Sequence, residues 1–338
     1  MNESDMLDLS IPRIKFVLQA VSQAAVLAAE IQSKMGSEVL TKDDRSPVTV
    51  ADFAVQAAVG YLLDQYFPEE RLVGEEQSEA LRSQVERDTL SAVTGYVTQV
   101  IPGATPDQIC DLIDRGGDQP SNKFWTLDPI DGTKGFLRGA QYATALAYIE
   151  DGEVELGVLG CPHLNPDLEA SSKGGGSLLI AQKGRGSWIT RMEDSDHRET
   201  YTRLTVSSQK KPENARLLRS FESGHTNSDQ IDEFQMVLGS QTDPVRMDSQ
   251  VKYALLAAGW GEIYLRLLSP KKLDYKEKIW DQAAGSLIVE EAGGRVTDLD
   301  GKPLDFSQGR TLKENRGICA TNGRLHTEVL EALRSVKA

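Results

Sequence analysis

Phe124-Trp125-Thr126-Leu127-Asp128-Pro129-Ile130-Asp131-Gly132-Thr133 is the stretch from which the rest of the chain can be read. Its first four residues predict a strand running into a turn. The spacing then aims two carboxylates, Asp128 and Asp131, into one pocket, with the Ile130 carbonyl freed by the turn between them. Gly132 and Thr133 follow with backbone N–H groups and a hydroxyl that an anion can use. Asp-Pro and Asp-Gly are also ordinary turn dipeptides. Turn chemistry accounts for the Pro and the Gly, but not for two acids followed by Thr.

Upstream, apolar residues from Ile14 to Met35 recur at helical spacing, with Ser10 as a cap, Pro12 in the first turn and Gly36 as the stop. Ser46-Pro47 favours extended backbone, and a second helix is expected from near Thr49 to Phe67, closed by Pro68. A strand over 71–74 ends in Glu75-Glu76. Residues 77–123 read as a surface insertion with two helices of its own, over 90–100 and 106–115. Downstream, Asp151-Gly152 between apolar runs is a hairpin signal, and a second hairpin turns around residues 183–186. After a charged loop over 192–202, strands and helices alternate to the end of the chain, which is an α/β pattern. The 338 residues suggest about two domains. The expected division is 1–200, an α+β part, and 201–338, an α/β part.

The chain carries 37 Lys+Arg and 51 Asp+Glu, a formal net charge of −14. That field repels nucleic acid and anionic membrane, so neither is an expected partner. No apolar run is read as approaching the roughly 18 residues of a membrane span. The acidic N-terminus lacks the marks of a signal or transit peptide, so a cytoplasmic location is expected. Cys110, Cys161 and Cys319 are too few and too scattered for a disulfide framework or a zinc module.

Three further acidic positions sit at strand ends or helix starts. Glu75-Glu76 could be a solvated loop. Asp52, in Thr49-Val50-Ala51-Asp52, could simply complete a capping box. Asp281, after Trp280, could be an ordinary first-turn acid. Together with Asp128, Asp131 and the Ile130 carbonyl they make a hard-oxygen donor set with no His or Cys nearby in sequence. Such a set suits Mg²⁺. Several ions held there could serve phosphate hydrolysis, and without them the acids would repel a phosphate.

Gly74-Glu75-Glu76, Asp128-Pro129-Ile130-Asp131-Gly132-Thr133, Trp280-Asp281-Gln282-Ala283-Ala284-Gly285 and Glu291-Ala292-Gly293-Gly294 resemble, in order, the signatures of the inositol monophosphatase superfamily of lithium-sensitive, magnesium-dependent phosphatases. The resemblance runs from about Ile14 to Thr321. Within that superfamily, Ser46-Pro47-Val48-Thr49-Val50-Ala51-Asp52, the run Gly132 to Gly139, Ser223-Gly224-His225, Asp248-Ser249-Gln250-Val251-Lys252-Tyr253 and Lys278-Ile279-Trp280-Asp281 resemble the 3′(2′),5′-bisphosphate nucleotidases. So does the length of the insertion after Glu76.

The resemblance implies the layered αβαβα sandwich shared with fructose-1,6-bisphosphatase. It implies removal of the 3′-phosphate from adenosine 3′,5′-bisphosphate, and action on its sulfated analogue in sulfate assimilation. It implies two or three Mg²⁺ ions, with Glu75, Asp128, Asp131, Asp281 and Ile130 as ligands. Asp52 is implied as a ligand or base, and Thr133 as the residue orienting the attacking water. Gly132 and Thr133 would hold the phosphate, with Asp131 and Asp281 also facing substrate. For the nucleotide, the resemblance points to His225 on the adenine and to Ser249, Lys252 and Arg266 on sugar and phosphate. From the residues alone, His225 could be a loop histidine, Ser249 a helix N-cap and Arg266 a partner for a surface acid. The expected partner is a small nucleotide bisphosphate, and the expected state a monomer or weak homo-oligomer. Two alternatives remain open at this point: an inositol (poly)phosphate phosphatase, and a non-catalytic nucleotide sensor.

Overall fold

The first two helices, α1 (Pro12–Met35) and α2 (Ser46–Tyr66), pack on each other and on one face of a seven-stranded sheet. The computed structural model describes residues 6–35, 46–168, 175–221, 228–269 and 271–338. The sheet runs in chain order from β1 (Arg71–Gly74) through β2 (Lys123–Asp131), β3 (Ala143–Glu150), β4 (Glu153–Cys161), β5 (Ser177–Gln182) and β6 (Gly186–Arg191) to β7 (Thr202–Arg203). β1 and β2 are parallel, and every later pair is antiparallel.

Strand alternation decides what lies on each face. On β2 and β3, Trp125, Leu127, Leu146 and Tyr148 join the core under α1 and α2. Phe124, Ala145, Ala147 and Ile149 point the other way, into a second core. That second face is covered by α7 (Val251–Ala257) and α8 (Ala283–Glu291). The same two helices lie against a five-stranded sheet in the order β11 (Arg295–Thr297), β12 (Ile318–Thr321), β10 (Ile263–Arg266), β8 (Leu217–Arg219) and β9 (Val245–Arg246). Its far face is closed by α6 (Ser228–Leu238) and α9 (His326–Ser335) through Phe234, Ile231, Val329 and Leu333. The layers therefore run helices, sheet, helices, sheet, helices, the expected αβαβα arrangement.

Several local expectations are corrected. β2 does not stop at Leu127 but continues to Asp131, with a bulge between Asp128 and Asp131 that admits Pro129 into a strand. α2 opens at Ser46, not near Thr49, so Pro47 lies in its first turn, where a missing N–H costs nothing. Asp52 therefore stands well inside the helix and completes no capping box. Ser10 donates its hydroxyl to Asp8 (2.6 Å) rather than capping α1. α1 is also more apolar than its polar interruptions suggest: a window of 18 residues within Pro12–Lys34 reaches a mean hydropathy of 1.4, enough in length and composition for a membrane span. Phe16, Val17, Val21, Ala24 and Ala28 are nevertheless fully buried in the core beneath it.

The insertion is more than a surface appendage. Its helices α3 (Arg87–Val100) and α4 (Pro106–Asp114) pack on α2 and bury Val93, Val97, Ile109, Cys110 and Ile113. Thr105 and Gln108 form a reciprocal capping box at the start of α4. Three short elements escape the sequence reading, α5 (Thr133–Leu137), β7, which begins inside the expected loop, and β11. All are too short for periodicity to register.

Candidate active site

The bulge in β2 is where the site begins. Asp128 is buried at its start, Asp131 partly buried at its end, and Gly132 turns the chain with φ of 95°. A Cβ on Gly132 would lie 2.7 Å from the Ser249 Cβ, so the close approach of the two segments requires glycine. The Asp131 carboxylate accepts the backbone N–H of Gln250. Gln250 in turn donates through Nε2 to the Trp280 carbonyl (3.1 Å) and accepts through Oε1 from the Gly285 N–H (3.1 Å). One buried residue thereby joins β2 to α7 through its backbone N–H, and α7 to the segment that carries Asp281 through its side-chain amide. Arg138, after α5, pairs with Asp248, just before α7.

These segments open a cleft of about 540 Å³. Glu75, Asp128, Ile130, Asp131, Gly132, Thr133 and Asp281 contribute to its walls, and so do Ser249, Lys252 and Arg266. Asp52 does not line it. It lies behind Glu75 and Glu76, close enough for both to act on its charge.

Burial holds these carboxyls above the usual range, and repulsion between neighbours adds to it at all but Asp131. Burial raises Asp52 strongly, with Glu76 and Glu75 adding to it. Asp128 is raised strongly by burial and then by Glu75, Asp131, Asp281 and Asp52. Burial lifts Glu76 to about 7 and Asp281 to about 8; Arg266 opposes the rise at Asp281, and Asp131 reinforces it. Glu75 and Asp131 are also raised, chiefly by burial; a hydrogen bond with Asp128 offsets this at Glu75, and Lys252 offsets it at Asp131. Such a cluster calls for cations. Among the described residues, no three His, Cys, Asp or Glu side chains stand gathered as a ready-made metal cage; the acids line the cleft instead. The donor set still fits a hard cation. Asp128 Oδ1 is buried without a hydrogen-bond partner, and the lining ligands are all oxygen.

A model of the inositol monophosphatase family matches residues 12–338. The chain belongs to that family. It is 41% identical to the 3′(2′),5′-bisphosphate nucleotidase of Schizosaccharomyces pombe, over 95% of each chain. It is 38% identical to that of Emericella nidulans, over 97% of this chain and 99% of the other. The rice enzyme of the same name, from Oryza sativa, is 40% identical over 94% and 93%. Among solved structures, Thermotoga maritima IMPase superposes with a TM-score of 0.62 at 21% identity, covering 97% and 98% of the two chains. CysQ from Bacteroides thetaiotaomicron, a bacterial member of the family, gives 0.60 at 17% identity, covering 92% and 97%. Enzymes of the inositol monophosphatase family depend on metal ions.

Within this family member, the residues singled out by sequence fall into four groups, of which Asp52, off the cleft wall, is one. Glu75, Asp128, Ile130, Asp131, Gly132, Thr133 and Asp281 meet at the cleft as expected. Ser249, Lys252 and Arg266 also reach it, but with protein partners of their own. Ser249 Oγ accepts the Val251 N–H (3.2 Å), but the N-cap of α7 is Gln250, and Ser249 stands before it at φ 61°, so the N-cap expectation for Ser249 is corrected. Lys252 is buried, donates to the Met247 carbonyl (3.3 Å) and sits over the Tyr264 ring at 5.2 Å. Arg266 pairs with buried Glu277 (2.9 Å) and stands 3.8 Å from Asp281, so its partners are acids of the site rather than of the surface. His225 lies outside the described residues. Sequence reading missed Gln250 as a linker, Tyr264 and Glu277 as partners, and the wall formed by Arg219, Phe221, Ile231 and Arg246. Gln250 stands inside a motif that was already quoted. The wall carries no spacing signal.

Proposed function

We propose that this chain is a 3′(2′),5′-bisphosphate nucleotidase that removes the 3′-phosphate from adenosine 3′,5′-bisphosphate, leaving AMP and phosphate, with Mg²⁺ as its metal. The observation that carries this reading is the make-up of the cleft. One wall, from the ends of β1 and β2 and the approach to α8, presents carboxylates. The other, from β8, β9 and α6, presents Leu218, Phe221 and Ile231 with Arg219 and Arg246. A cyclitol phosphate has no aromatic base to set against such a wall. A nucleotide offers a base, a sugar and a second phosphate.

Glu75, Asp128, Asp131, Asp281 and the Ile130 carbonyl would hold two or three Mg²⁺ ions, with Asp52 behind them. When bound there, the ions lower the pKa of the attacking water and neutralise the departing ribose oxygen. The chain's own groups do the rest. Thr133 orients the water through its hydroxyl, and Asp52, held as a carboxylate by the nearby cations, would serve as the base that receives its proton. The N–H groups of Gly132 and Thr133 hold the scissile phosphate in line. Lys252, brought down to about 8 chiefly by burial, remains largely cationic at neutral pH and faces the second phosphate. The same cleft would accept 3′-phosphoadenosine 5′-phosphosulfate.

Phosphate release from adenosine 3′,5′-bisphosphate and from inositol 1-phosphate, measured with Mg²⁺ and with EDTA, tests this. A large preference for the nucleotide that EDTA abolishes is expected. Preference for the inositol phosphate would keep the metal site and discard the nucleotide roles of His225, Ser249, Lys252 and Arg266. Nucleotide binding without turnover would make the protein a sensor.

A further inference from the structure

Arg310 lies in a loop remote in sequence from every acid of the site, yet it touches both sides of it. Its backbone belongs to the C-terminal side. The Ile279 N–H donates to the Arg310 carbonyl (3.2 Å), the Leu312 N–H donates to the Glu277 carbonyl (2.9 Å), and Lys278 and Thr311 form an isolated bridge. The 310–312 segment is thus an edge splint for the chain that leads into Trp280 and Asp281. The side chain crosses the other way. Its guanidinium stacks on the Trp280 ring, 4.9 Å from the centroid. It donates to the carbonyls of Gly74, Gly116 (3.3 Å) and Asp118 (3.2 Å). Gly74 immediately precedes Glu75, and the Gly116 carbonyl also accepts the Gly74 N–H (2.9 Å).

We propose that Arg310 is a positioning residue for the divalent cations, holding Glu75 from the first sheet and Asp281 from the approach to α8 at one separation. The proposal rests on the metal-dependent reading of the cleft given above. Its physical basis is geometric. The planar fork of arginine can stack on an indole while its N–H groups reach several carbonyls, and a lysine ammonium cannot do both. Neither Gly74 nor Trp280 contributes a side-chain ligand, so the guanidinium acts on the residue before each acid. Substitutions at such supporting positions typically weaken metal affinity by roughly 10–100-fold.

The test compares the full-length protein with Arg310→Met and Arg310→Lys. Mn²⁺ and Mg²⁺ affinity is read by calorimetric titration without substrate. The Mg²⁺ concentration giving half-maximal rate is read separately, and KM for adenosine 3′,5′-bisphosphate is taken at saturating Mg²⁺. The expected result is cation affinity about tenfold weaker or more in both variants, with KM at saturating Mg²⁺ within about twofold of wild type. Wild-type cation affinity in Arg310→Lys, or a KM rise that saturating Mg²⁺ does not remove, overturns the proposal. If Arg310→Met does not fold, Arg310→Lys decides alone. A wild-type protein that binds no divalent cation overturns both this proposal and the reading beneath it. A wild-type protein that binds the cation and is matched by its variants overturns only the role of Arg310.

Discussion

Asp131 stands where the two halves of the cleft meet, accepting the Gln250 N–H from α7 while it extends from the bulge of β2. Replacing it with Asn keeps the volume and removes the charge. Turnover of Asp131→Asn is expected to fall by roughly a hundredfold or more, as for loss of a metal ligand. Far-UV circular dichroism should be unchanged. A near-normal rate would remove Asp131 from the metal site. Lys252 is a different case, since its ammonium is buried beside Asp131 and Asp248, both of which favour its charged form. Lys252→Met is expected to raise KM for adenosine 3′,5′-bisphosphate by about tenfold, the size of one lost charge-assisted contact. KM for adenosine 3′-monophosphate should rise less. Equal rises for the two would take Lys252 off the second phosphate.

α7 and α8 form the middle layer and deliver both Lys252 and the neighbourhood of Asp281. Their contact depends on Gly285, where a Cβ would lie 2.1 Å from Cδ2 of the buried Tyr253 ring. Glycine inside a helix usually costs about 1 kcal/mol relative to alanine. Here the overpacking, about 1–3 kcal/mol, works against that gain. Gly285→Ala should therefore unfold at lower denaturant, and a gain in stability would show that Tyr253 can move aside. The periodicity of these helices was legible in sequence, and so were β3 and β4, whose Asp151-Gly152 turn has both residues at positive φ. The extension of β2 was not. A proline in a strand is allowed only where a bulge or an edge relieves the ladder, and that depends on the neighbouring strand.

The assembled molecule places several like charges in one buried cleft, and its stability should reveal this through pH. Asp281 has an unfolded value near that of an ordinary aspartate and a folded value of about 8, and Glu76 is raised to about 7. An acid raised on folding binds more protons in the folded state, so stability falls as pH rises from the unfolded value to the folded one. Two other groups act outside this window. His326, lowered to about 4 chiefly by burial, reduces stability only below its unfolded value near 6.5. Lys252, lowered to about 8, acts above that pH. Glu290, lifted to about 7 chiefly by burial and lying outside the cleft, adds to the fall, so between pH 6.5 and 8 the melting temperature in EDTA should decrease, and saturating Mg²⁺ should remove the part that the cleft carboxyls contribute. A flat profile in EDTA would mean that the carboxyls are better solvated than their burial implies.

By itself the chain determined its helices, its hairpins and the acids that meet at the cleft, while the layered order came from the family resemblance. Apolar spacing marks the helices, turn residues mark the hairpins, and acids at strand ends mark the acidic wall, because each of these signals is local. Only tertiary structure decided that Asp52 lies behind the cleft rather than in its wall, that Arg266 is paired with Glu277 and Asp281, and that Gln250 ties β2 to both α7 and the Trp280 segment. It also brought Arg310 against Gly74 and Trp280. The physical reason is the same in each case. A hydrogen bond or ion pair between residues far apart in the chain leaves no periodicity and no spacing behind, so it can be seen only when the layers have brought its partners together.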